Sequence, residues 1–255
     1  MNKESRLQEA YLSRLEKQRR KIMAARILLA LAFFLLWETA ADRGWIDSFF
    51  FSSPSRLGRL FLSMWRDGSL FLHVGITLTE TLVSFALVVV IGLAVSLLLW
   101  LSDSVFQVLE PYLVILNSLP KSALAPLLIV WLGANSRTII VAGMSVAIFG
   151  TILNLYTGFT ETSREKIRLI YTLHGTKKDA LTKVVLPSTV PMIISIMKVN
   201  IGLCLVGVVI GEFIGARNGL GYLIIYGSQV FQLDLVILSI LILCLMAMLL
   251  YGGVT

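Results

Sequence analysis

Charged side chains make up only 15% of this 255-residue chain, against 57% hydrophobic ones, too little polar surface to solvate a soluble domain of this size. The bilayer is the expected solvent. Cysteine is nearly missing as well: Cys204 and Cys244 sit singly in apolar runs, with no CxxC and no Cys/His cluster, which predicts neither a disulfide nor a metal site. No GxxxxGKS or GxxxxGKT segment supplies the backbone cradle and lysine that hold nucleotide phosphates. A nucleophile elbow and HExxH are equally missing. No catalytic residue is therefore assigned, and any nucleotide must bind another polypeptide.

What the chain does have is long apolar runs. Those of at least 17 residues predict spans near 24–41, 74–101, 112–133, 138–158, 191–214 and 235–252. Pro111, Pro120 and Pro126 interrupt the third, which is read as one kinked span. Basic residues are clustered: eight of the 22 Lys and Arg lie in residues 1–26 and six between Arg164 and Lys183. Lacking a soluble domain to present them, these clusters indicate orientation and not nucleic acid, placing both termini and the 159–189 loop in the cytoplasm. The apolar stretch after the polar segment 1–25 lacks a small-residue cleavage site following a short h-region, so 1–25 is read as a retained cytoplasmic arm, with 26–255 forming the transmembrane domain. In the outside loop 42–72, Phe49 to Phe51, Leu57, Leu60, Phe61, Met64 and Trp65 recur at helical spacing around Pro54, predicting an amphipathic interfacial helix.

The inner loop reads ETSREKIRLIYTLHGTKKDALTKVVLPSTVP over residues 161–191. Two short helices are expected: Gly175 in a left-handed conformation ends the first, Thr176 and Asp179 form a capping box opening the second, and Pro187 stops it. Six basic and three acidic residues over 161–187, with Ile167, Ile170, Tyr171, Leu181, Val184 and Val185 as the apolar side, suit a hairpin that inserts into a partner's groove. A solvated loop held to anionic lipid by its lysines is the alternative.

The segment GTKKDALTKVVLPSTVP resembles the ATPase-contacting loop of binding-protein-dependent ABC importer permeases. Two departures stand out. Counting back from Val184-Val185-Leu186-Pro187 puts the family's glycine at His174, one place before Gly175, and its Glu-Ala-Ala triplet falls on Arg168-Leu169-Ile170. FSSPSRLG (51–58), EPYLVILNSLPKSALAPLLIVWLG (110–133) and GEFIGARNGLGYL (211–223) further resemble the branch importing sulfonates, taurine, nitrate and pyrimidine precursors. The resemblance implies an all-α, polytopic fold of about six transmembrane helices, like the type I ABC importer permeases. It also implies two ABC ATPase subunits that bind ATP and Mg, a second permease copy, an extracytoplasmic solute-binding protein, surrounding membrane lipid, and no cofactor in this chain. Leu173, His174, Gly175, Thr176, Lys177, Lys178, Asp179, Leu186 and Pro187 would be the ATPase-coupling residues.

Intramembrane polar residues tend to face a cavity or a partner, because a charge at mid-bilayer costs a few kcal/mol. Glu212, before Asn218, Gly219 and Gly221, falls by resemblance on the translocation pathway; pairing with Arg217 or an interfacial position are the alternatives. Asn117 and Ser118 flank the Leu119-Pro120 break, where unwound backbone would face the pathway, while Lys121 snorkels inward. Asn154, Lys198 and Asn200 are expected to form interhelical hydrogen bonds. Glu38 and Glu80 are read as solvated near membrane ends, and His73 and His174, in or beside polar loops, as neither ligand nor base. The rival class is an ATP-independent secondary transporter or channel, marked by coupling-ion carboxylates or inverted repeats; a non-transporting scaffold is a third reading.

Overall fold

The computed structural model describes residues 3–254, with side chains from Gln18 onward; the side chains of the basic arm before Gln18, and the chain ends, lie outside the described residues. All regular elements among the described residues are helical. The chain forms two compact units, one up to Leu62 and one from Ser63.

In the first unit, α1 (Lys3–Asp42) runs unbroken from the polar arm through the first apolar run. Leu28, Leu29, Leu35 and Leu36 are 65% to 76% exposed, a surface fit for lipid. The chain then folds back on the last turns of α1 through α2 (Ser48–Phe51) and α3 (Pro54–Arg66). Trp37 Nε1 donates to the Phe51 carbonyl at 3.2 Å, and the Ser55 N–H donates to Glu38 Oε2 at 3.0 Å. The expected amphipathic helix is thus α3, with Leu57 and Met64 buried and Gly58, Arg59 and Ser63 exposed.

The second unit is built on three long helices, α4 (Ser69–Leu101), α7 (Ser136–Thr160) and α10 (Leu186–Gly215), packed side by side. The pattern of α4 explains why. Its buried residues Leu70, His73, Thr77, Glu80, Thr81, Ser84, Val88, Gly92 and Ser96 recur every three or four positions, whereas Leu72, Val83, Val90 and Leu98 face outward. Small and polar inside with large and apolar outside is the inverse of a soluble helix. Without a hydrophobic force between helices in lipid, close backbone approach and hydroxyl bonds hold them. Ser84 Oγ donates across to the Ile140 carbonyl at 3.0 Å, and a Cβ at Gly207 would stand 2.8 Å from the Gly143 Cα.

Between α4 and α7 lie α5 (Asp103–Ser118) and α6 (Lys121–Leu132), bent by 95° at Leu119-Pro120. The expected kinked span 112–133 is therefore two helices at nearly a right angle. Pro120 has no N–H to continue the ladder, and Leu119 before it takes an extended backbone. Among the described residues, five helices are long and apolar enough to cross a membrane, or six if this bent pair counts as one span. α8 (Arg164–Thr172) and α9 (Lys177–Ala180) follow α7, and α11 (Leu220–Gln229) and α12 (Leu233–Gly253) follow α10.

Pro187 does not stop the second hairpin helix. A π-helical turn, Leu181–Val185, joins α9 to α10, and Pro187 sits directly after it in a helix that continues from Lys177 to Gly215. Ser188 and Thr189 hydroxyls donate to the Val184 and Val185 carbonyls, covering acceptors at the joint.

Candidate functional site

Three places in the second unit carry the predicted residues. The first is the hairpin. Gly175 N–H bonds the Ile170 carbonyl at 2.9 Å and His174 N–H bonds the Tyr171 carbonyl at 3.0 Å, the paired bonds of a Schellman stop. The left-handed residue is His174, at φ 59°, not Gly175. His174 thus adopts the backbone for which glycine is the usual choice, at the very position where the family pattern has one. Gly175 is required for a different reason: a Cβ there would lie 2.5 Å from Ile170 Cγ2 and 2.9 Å from its carbonyl oxygen. Immediately after it, the capping box forms as expected. Thr176 N–H donates to Asp179 Oδ2 at 2.9 Å, and Asp179 N–H donates to Thr176 Oγ1 at 3.3 Å.

Packing ties the hairpin to the membrane helices. Ala180, Leu181 and Val185 join Trp100, Leu155, Phe159 and Met197 in one buried cluster, with Ile167, Ile170 and Leu186 against it. Burying Leu181 and Val185 contributes about 1.5–3 kcal/mol each. Lys177 lies 3.7 Å from Asp103 with its ammonium over the Trp100 ring, and Lys183 pairs with Asp179 at 2.9 Å. Leu169, Tyr171 and Leu173 remain outside, Leu173 at 70% exposure. Lys178 and Pro187 complete the predicted set, Lys178 with its carbonyl accepting from Thr182 Oγ1.

At the opposite end of the bundle, Glu212 is fully buried and holds a turn. Gly221 N–H donates to Glu212 Oε2 at 2.6 Å and Thr77 Oγ1 to Glu212 Oε1 at 2.7 Å, while Leu220 N–H donates to Thr77 Oγ1 at 2.8 Å. Gly219 N–H donates to His73 Nδ1 at 3.0 Å. Three orphan N–H groups at the start of α11 are thereby satisfied, two by His73 and Thr77 of α4 and one by Glu212 of α10. Arg217 is not the partner of Glu212. Two expectations are corrected: Glu80 is 3% exposed and not solvated, and His73 is buried in α4 instead of beside a polar loop. The Glu80 oxygens lie near Ser136 and Glu212 but form no hydrogen bond of normal geometry. They border a cavity of about 190 Å³ lined also by Asn135, Arg217 and Asn218. Sequence reasoning missed Thr77 as the partner of Glu212 and His73 as the acceptor for the Gly219 N–H.

The third place is a cavity of about 430 Å³ between α5, α7 and α10, lined by Asn117, Thr151, Asn154, Ser195, Asn200 and apolar neighbours. Asn200 is 3% exposed, and its Nδ2 has no partner, so it does not make the expected interhelical bond. Ser118 is exposed at the bend and donates to the Val114 carbonyl at 2.9 Å. The Lys121 ammonium turns to the Leu116 and Asn117 carbonyls. Asn117 is thus the predicted pathway residue on this cavity, while Glu212, Asn218, Gly219 and Gly221 group at the far end.

A family model described as the binding-protein-dependent transport system inner membrane component matches residues 88–254. The chain belongs to this family. The permease is 30% identical to a probable ABC transporter permease protein of Haemophilus influenzae over 89% of this chain and 92% of that one. It is 28% identical to the formylaminopyrimidine transport permease protein of Halalkalibacterium halodurans, over 76% and 77% respectively. Permeases named for aliphatic sulfonates, taurine and nitrate also match, which sets the permease in the branch its segments resemble. Its fold is similar to that of a chain in the inward facing MetNI methionine ABC transporter, with TM-score 0.63 and 21% identity over 72% of this chain and 94% of that one. The permease is a multi-pass membrane protein of the ABC importer type.

Proposed function

We propose that this permease forms the translocation pathway of an ATP-driven importer of a small polar or anionic solute. The substrate is drawn from the sulfonate, taurine, nitrate and pyrimidine-precursor class for which its relatives are named. Two copies enclose the pathway, two ATPase subunits bind the 161–187 hairpin in the cytoplasm, and an external binding protein delivers the solute. ATP and Mg belong to the ATPase subunits, and the permease itself catalyses nothing. Both termini are cytoplasmic, and membrane lipid covers the outer face.

The observation that carries this reading is the construction of the hairpin. Its inner side is locked into the bundle while Leu169, Tyr171 and Leu173 stay exposed. A π turn then continues it directly into α10. Force applied at Leu173 to Asp179 is thereby transmitted to the helix that carries Asn200 and Glu212, biasing inward-open against outward-open states. Exposed α5 and α6 residues such as Val108, Ile115, Val130 and Trp131 suit the second copy. Asn117 and Ser118 border the pathway near its middle, and Glu212, Asn218, Gly219 and Gly221 build its outer end.

One observation favours the ATP-independent rival: Glu80 and Glu212 form a neighbouring pair of buried carboxylates, a feature of ion-coupled carriers. Co-expression with an ABC ATPase from the same genome, followed by mass measurement in detergent, decides between them. Two permeases with two ATPases are expected; a permease that transports solute down an ion gradient with no ATPase present overturns the proposal.

A further inference from the structure

The cavity between α5, α7 and α10 has a wall of uncharged polar groups. Asn117 comes from α5, Thr151 and Asn154 from α7, and Ser195 and Asn200 from α10, so three helices converge amides on one space. Its volume of about 430 Å³ lies within the range of about 300–1,000 Å³ typical of small-molecule sites. The Thr151 hydroxyl donates to the Ala147 carbonyl and the Ser195 hydroxyl to the Pro191 carbonyl, so both are used within their own helices. Asn200 Nδ2 is not: it is a buried donor without an acceptor. Such a group is costly unless something supplies the acceptor.

The wall contains no Lys, Arg, Asp or Glu. Two cations stand beside lining residues without joining the wall: Lys121, whose ammonium is spent on the Leu116 and Asn117 carbonyls and on the face of Phe149, and Lys198, next to Val199 on α10. An anion held here would be a buried charge without a counter-charge, which is far costlier than a neutral polar group that completes its hydrogen bonds. Carboxamides, by contrast, present a donor and an acceptor side by side and pair with planar edges of the same kind, as asparagine does with an adenine edge.

We infer that this cavity is the solute subsite of the permease and that it selects a neutral, planar solute with an amide-like or aminopyrimidine edge, accepted by Asn200 and flanked by Asn117 and Asn154. Within the class considered above, this singles out neutral heterocycles over sulfonates and nitrate. The inference rests on the importer reading, and its test separates the two.

The test is equilibrium dialysis of labelled 4-aminopyrimidine and labelled ethanesulfonate against the purified permease–ATPase complex. The aminopyrimidine is expected to bind and ethanesulfonate not to compete. Asn200→Leu should weaken binding about tenfold or more, the usual penalty for removing one partner from a site built on hydrogen bonds. Asn117→Ala, at an exposed position next to the α5–α6 bend, should weaken it as well with the complex intact. Preferential binding of ethanesulfonate, or undiminished aminopyrimidine binding in both variants, overturns the subsite. Failure of any ATPase to co-purify would instead overturn the importer reading itself.

Discussion

Gly175→Val combined with Thr176→Ala is expected to leave the permease inserted in the membrane while weakening ATPase association at least about tenfold, or leaving ATP hydrolysis unresponsive to the loaded binding protein. The reason is local. A Cβ at position 175 meets Ile170 at 2.5 Å on Cγ2 and 2.9 Å on the carbonyl oxygen. A β-branched side chain there cannot keep the bond from Gly175 N–H to Ile170. Losing the Thr176 cap costs a further ~1 kcal/mol. Both changes act on the turn between α8 and α9, and neither touches the α4, α7 and α10 contacts that hold the bundle. His174→Gly is the matching control, because it relieves a left-handed backbone at φ 59° and should preserve coupling. If the loop only anchors to lipid, the double variant would keep full coupling, and neutralising Lys177, Lys178 and Lys183 would be the damaging change.

Glu212→Leu should lower the thermal midpoint of the purified permease in detergent and reduce uptake together. It strips the acceptor from the Gly221 N–H, leaving a buried donor at a cost of about 1–3 kcal/mol, while the Thr77 hydroxyl keeps only the His73 carbonyl at 3.2 Å. Thr77→Val should be milder, and the double variant less damaging than the sum, since both act through one network. A size-exclusion thermal melt of the three variants measures this. Wild-type melting in Glu212→Leu would mean that the carboxylate does not hold the turn.

The apolar runs made most of the spans legible, because a membrane helix must be apolar over about 20 residues whatever surrounds it. The capping box was legible because Thr176 and Asp179 are only three positions apart. The Schellman stop was misread by one residue: glycine is the usual left-handed residue, but here the chain uses His174 for the left-handed position and needs Gly175 for clearance against Ile170. Pro187 was misread because a π turn lets the helix run on through it instead of ending there. The burial of Glu80 and His73, and the pairing of Thr77 with Glu212 across 135 positions, depend on which face of α4 meets α10. That packing is set by tertiary contacts between helices and not by any local pattern. The Asn117, Asn154 and Asn200 cavity was hidden for the same reason.

The most direct measurement of the central claim is solute uptake into proteoliposomes containing the permease, its ATPase and its binding protein, with ATP inside or outside the vesicle. Uptake that requires hydrolysable ATP on the hairpin side and stops when the binding protein is omitted is the predicted result. Uptake that proceeds without ATP, or that follows an imposed ion gradient, would contradict the account.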